Sequence, residues 1–177
     1  MNPQWLDIIS IISLGIGALC AVLIAAHELR HPQHMWIMNV VWPITALYAG
    51  PLALWAYYRY ACLSTRQAVM SAKQHGQEPP GKQKSFPAMV ALGATHCGAG
   101  RTLGDICAEW IVFATALTLW PLPNHPHLFA AWVLDFAFAY IIGIAFQYFT
   151  IAPMRGLSVG KGIWAAIKAD KLSLTAW

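Results

Sequence analysis

The stretch "IISIISLGIGALCAVLIAA", Ile8 to Ala26, decides the fold. Its nineteen residues carry no charge, and at about 1.5 Å per helical residue they just cross a hydrocarbon core of roughly 30 Å. The preceding "MNPQWLD" holds an acid and no base. A cleaved signal peptide starts basic, so this segment is expected to stay in the mature protein as a first membrane helix.

The remainder of the chain has the same character. Hydrophobic residues make up 58% of the 177, charged residues only 10%, and the mean hydropathy is +0.52. A soluble domain is about one-quarter charged, so lipid is the solvent to reason from. A second uncharged run, Met35 to Tyr58, is long enough to span, with Pro43 and the Gly50-Pro51 pair expected to kink it. The loop from 59 to 87 is polar: Arg59, Arg66, Lys73, Lys82 and Lys84 face a single acid, Glu78, and Pro79-Pro80-Gly81 interrupts any helix. Apolar sequence returns from Ala88 to Trp120. As one helix it would be about 50 Å long, so it must tilt, overhang or break, and Gly98 to Gly100 is where a break belongs. A fourth run covers Leu128 to Ile151, and the tail, 155–171, carries Arg155, Lys161, Lys168 and Lys171 with an amphipathic stretch at Gly162 to Lys168.

These elements predict an all-α, polytopic transmembrane bundle forming a single domain over residues 1–177, with about four spanning helices near 8–26, 35–58, 88–120 and 128–151. One crossing at the third segment, with the positive-inside rule, assigns the basic loop and the tail to the cytoplasm and leaves Arg30 as the permanent cation opposite. The N-terminus is assigned outside an inner (plasma) membrane. Trp5, Trp36, Trp120 and Trp132 then fall near the outer boundary, Trp55 and Trp164 near the inner one. The tail is expected either to lie on the membrane surface or to lead into further helices beyond Trp177.

Two groups of residues carry candidate chemistry. His27, His31 and His34 are assigned to the outer face with His125 and His127, and Met35 and Met38 lie beside the first three. Imidazole with thioether suits copper, and imidazole alone zinc or nickel. His27 and His31 share a helix face if helix one reaches them, which Pro32 opposes. The plainer reading is ordinary interfacial polarity, because loose histidines lack the fixed spacing of a metal motif.

The other group is "HCGAGRTLGD", His96 to Asp105. Ionisable groups within membrane segments are costly and are functional candidates by default. Cys97, Arg101, Asp105 and Glu109 recur every fourth residue and form one stripe on a helix, with Asp105 or Asp135 available to pair with Arg101. Arg101, Asp105, Glu109 and Asp135 together carry a net negative formal charge, so a carboxyl is protonated or a cation visits. His96 and Cys97 supply nitrogen and sulfur for copper or zinc. Structurally, Gly93, Gly100 and Gly104 are small enough to bring helices together, and an Arg101–acid pair fixes their register. Haem held by His96 would need a second intramembrane imidazole.

No phosphate loop, nucleophile elbow or zinc-protease helix occurs, so no enzyme class is supported. Membrane orientation alone accounts for the basic loop, without nucleic acid. Cys20, Cys62, Cys97 and Cys107 are expected to be free thiols.

The stretches "HPQHMWIMNVVWPITALYAGPLALWAYYR", "THCGAGRTLGDICAEW" and "DFAFAYIIGIAFQYFTIAPMRGLS" resemble the bacterial and archaeal integral membrane family known as domain of unknown function 4396, over roughly Met35 to Trp177. The resemblance implies a polytopic protein that continues into further apolar helices, and no settled activity. It also implies a second cysteine where this chain has Arg101, a departure that weakens a soft-metal site. The leading expectation is a non-catalytic accessory or scaffold subunit, in contact with lipid and with other membrane subunits or a second copy. The alternative is copper or zinc binding or transport through His96 and Cys97.

Overall fold

The structure is a computed structural model that describes residues 4–82, 85–118 and 127–174. Trp120, His125 and Trp177 lie outside the described residues. Six α-helices follow in order: α1 (Gln4–Arg30), α2 (Met38–Ala56), α3 (Arg66–Gln74), α4 (Phe86–Thr115), α5 (Leu128–Arg155) and α6 (Val159–Leu174). The described residues contain no strand beyond an isolated bridge between Gln33 and Thr65. The chain divides into two compact units, Met1–Thr95 and His96–Trp177, with the division inside α4.

In the first unit, α1 is an uninterrupted 27-residue helix with Asp7 in its first turn and His27 and Arg30 in its last. Those charges complement the partial charges at the helix ends. Gly17, Cys20, Ile24 and Glu28 are buried on one face. The other faces expose Ile and Leu side chains, as a lipid-facing helix does.

That buried face meets α2, where the chain reverses direction within the expected second span. The stretch 38–64 is long and apolar enough to cross a membrane, but it folds back on itself. Gly50 has φ 51° and ψ −127°, a backbone conformation that suits glycine and breaks the helix. Pro51, with no N–H to donate, then starts a new helical segment. Three contacts show the reversal. The Trp42 and Tyr57 rings meet edge to face at 5.5 Å, the His34 N–H donates to the Ser64 carbonyl at 3.0 Å, and the Arg66 N–H donates to the Pro32 carbonyl at 2.9 Å. A straight helix over the same residues would hold its ends about 39 Å apart.

The hairpin is also shallow. A Cβ on Gly17 would fall 2.5 Å from the Leu47 carbonyl oxygen, and Gly50 lies beside Ile16. Its tip therefore sits level with the middle of α1, about 16 Å from His27 and roughly half the thickness of a hydrocarbon core. An apolar cavity of 330 Å³ opens at the tip, walled by Ile9, Ile12 and Ile16 of α1 and by Leu47, Tyr48 and Pro51.

Beyond the hairpin the basic loop contains a helix of its own. Thr65 caps α3 by accepting from the Ala68 N–H, Val69 and Ala72 are buried, and Gly76 at φ 65° closes its far end.

In the second unit, α4 runs through Gly98–Gly100 without a break. Gly156 ends α5 in the left-handed region, with the Leu157 N–H donating to the Ala152 carbonyl. The chain then turns back so that α6 lies antiparallel along α5. Gly162 is opposite Tyr148 and Ala152, and Asp170 is opposite Gly143. The tail is thus a packed helix whose buried face is Gly162, Ala166 and Asp170.

Candidate functional site

On α4 the buried residues His96, Ala99, Gly100, Gly104, Ala108 and Val112 form a stripe of mostly small side chains. The approach it permits is close. A Cβ on Gly100 would lie 3.1 Å from the Gly143 Cα, and one on Gly104 would lie 2.7 Å from the Ala139 nitrogen. Gly93 differs from both, being exposed with nothing within 4 Å of an added Cβ.

Beside this stripe runs the polar one. Cys97, Arg101 and Asp105 are half-buried and Glu109 is exposed. The Gln147 amide on α5 donates to the Cys97 sulfur at 2.9 Å, so the thiol accepts a hydrogen bond across the helix pair. Arg101 acts electrostatically on two carboxyls, Asp105 one turn along α4 and Asp170 on α6. Asp170 is 2% exposed and its Oδ2 has no hydrogen-bond partner. Burial pushes its carboxyl above the usual carboxylate range, and the Arg101 guanidinium opposes part of that rise. Asp135 sits among carboxylates, within electrostatic reach of Asp105 and Glu109, and its Oδ1 is buried without a hydrogen-bond partner.

The sequence reading therefore missed Asp170 and Gln147. Their signal was present for Asp170, since Gly162, Ala166 and Asp170 are spaced four apart and make a small-residue stripe that ends in an acid.

The histidines of the first unit divide by burial. His27 and His31 stack with ring centroids 4.6 Å apart, which the α1 helix allows because it continues to Arg30. His27 Nδ1 is 2.9 Å from the Tyr57 hydroxyl. His34 is exposed, and Met35 is half-buried. His127, in the second unit, hydrogen-bonds the Leu117 carbonyl through Nδ1. Among the described residues no three His, Cys, Asp or Glu side chains converge as a metal would require.

Around the histidine pair the structure buries polar groups that periodicity did not single out. Glu28 is 4% exposed with both carboxyl oxygens unpartnered, Trp42 is 1% exposed with Nε1 unpartnered, and Gln33 is also 1% exposed. Both Glu28 and Gln33 lie close enough to the Tyr57 phenol to act on it.

A family model described as Domain of unknown function (DUF4396) matches residues 88–177, half of the 177-residue chain. The chain belongs to this family. The DUF4396 match contains the motif His96–Asp105, all of α5 and all of α6, so the Arg101, Asp170 and Gly143 arrangement lies wholly within it. The re-entrant hairpin and the histidine pair lie outside it. No curated protein and no solved structure matches the chain.

Proposed function

We propose that this DUF4396 protein is a non-catalytic, multi-pass subunit of a membrane assembly, whose intramembrane polar residues fix helix register. The supporting observation is how the DUF4396 region uses its polar groups. Cys97 accepts from Gln147, Arg101 acts on both Asp105 and Asp170, and Asp170 closes over Gly143, which Gly100 of α4 also approaches. Polar groups engaged with one another inside a helix bundle specify packing. Outward-facing Trp110, Phe113, Trp132 and Phe136 offer apolar surface to lipid, to neighbouring subunits or to a second copy.

The hairpin bears on orientation. It returns the chain to the side it entered from, so Arg30, Arg59, Arg66 and Lys73 share one side. With α1, α4 and α5 as the crossings, Arg155 and Lys161 fall on that side too. The positive-inside rule then gives a cytoplasmic basic face and an outside N-terminus in an inner membrane. Four crossings would have returned the N-terminus to the basic side, so the outside assignment goes with the hairpin. In this arrangement α4 crosses by virtue of its 30 residues, with Arg101 and Asp105 of its charged stripe half-buried.

Chemical cross-linking in native membranes, followed by purification in mild detergent, tests the proposal. A partner or second copy in fixed stoichiometry is expected. A monomer without cross-linked neighbours would overturn it. So would near-stoichiometric copper or zinc, measured by elemental analysis and lost in both His96→Ala and Cys97→Ala, since that is the signature of the metal-handling alternative.

A further inference from the structure

The most unusual group outside the DUF4396 region is Glu28. It occupies the last turn of α1, buried against the base of the hairpin, and neither of its oxygens has a hydrogen-bond donor. Among the described residues no lysine or arginine acts on it, and Arg30, two positions on, is exposed. An ionised carboxylate in that position would have lost water and gained nothing, at a cost of several kcal/mol. Glu28 therefore needs a proton or a cation. A metal ion would require a set of ligands that does not converge here, whereas a proton requires neither a cavity nor a coordination shell.

The neighbours are the Tyr57 phenol and the Cys62 thiol from the returning arm of the hairpin, with the His27 and His31 imidazoles adjacent in the chain and stacked on each other at 4.6 Å. None of these supplies a permanent cation. Protonated, Glu28 gains an O–H donor and keeps an acceptor.

We propose that Glu28 is a proton-binding site, its carboxyl kept in the neutral, protonated form by burial without a hydrogen-bond donor or a cation.

Infrared spectroscopy of the protein in lipid nanodiscs tests this. The carbonyl stretch of a protonated carboxylic acid is expected at neutral pH, lost in Glu28→Gln. If Glu28→Gln fails to fold, carbon-13 glutamate labelling supplies the assignment in the wild type. The chain has three glutamates and Glu78 is exposed in the loop, so a labelled acid band at neutral pH that persists in Glu109→Gln belongs to Glu28. Absence of that band, or a band unchanged in Glu28→Gln, would overturn the site.

Discussion

If residues 38–64 form a re-entrant hairpin, positions 34 and 66 are neighbours, and this can be measured directly. Both residues are exposed, so nitroxide labels on His34→Cys and Arg66→Cys should be tolerated in a background with the four native cysteines replaced. In the structure the backbone at these positions is tied by the His34 to Ser64 and Arg66 to Pro32 hydrogen bonds, at 3.0 and 2.9 Å. In a straight helical span the same positions would be about 48 Å apart, at about 1.5 Å rise per residue. The two geometries give qualitatively different spectra. Strong dipolar broadening in continuous-wave spectra of the doubly labelled protein is expected, and it should vanish on dilution with unlabelled sites. A long pulsed-dipolar distance without broadening would refute the hairpin, and with it the three-crossing topology.

Further expectations concern the DUF4396 region. Gly104→Ala drives a methyl into backbone atoms of Ala139 and Phe138, so it should destabilise by about 1–3 kcal/mol in a detergent unfolding titration, whereas Gly93→Ala, in open space, should be neutral or stabilising; equal effects would contradict the packing. Asp170 has its pKa raised, mainly by burial and against the pull of Arg101. Its contribution to stability is thus fully present below the ordinary carboxylate range and lost as pH rises through the raised value. Asp170→Asn should flatten that part of the stability–pH profile, and an unchanged slope would remove Asp170 from the account. Gln147→Leu leaves the Cys97 sulfur without its donor and should cost about 0.6 kcal/mol, the average for a hydrogen bond between membrane helices; a loss several times larger would mean that Gln147 has another role.

How much of this was legible depended on whether the deciding physics is periodic or local. The apolar runs that became α1 and α5 are properties of many residues at once, and composition finds them. The reversal in α2 depends on the torsions of Gly50. A kinked span and a hairpin share the same sequence pattern there, and Pro51 is compatible with both. The distinguishing contacts, Gln33 with Thr65 and Trp42 with Tyr57, join residues that are 32 and 15 positions apart. Composition misleads in the opposite direction for α4, which is long but carries Arg101, Asp105 and Glu109 and so is not among the helices apolar enough to cross by that measure.

The same reasoning separates the two polar sites. The stripe Cys97, Arg101, Asp105 and Glu109 was visible because it repeats every fourth residue, but its buried partner, Asp170, comes from a helix whose basic residues suggested a surface position. Lys161, Lys168 and Lys171 do face outward. The opposite face of α6 is small enough at Gly162 and Ala166 to lie against α5 and bring Asp170 down to Gly143. Glu28 was hidden for a related reason. It stands between two histidines that invite a metal reading, and only the returning arm of the hairpin, by placing Tyr57 and Cys62 nearby, removes it from solvent. In both cases the ionisable residue that matters is the one covered by a chain reversal. Each reversal turns at a glycine with positive φ, Gly50 before the returning arm and Gly156 before α6. Glycine at those two positions therefore fixes the chemistry of residues more than ten positions away.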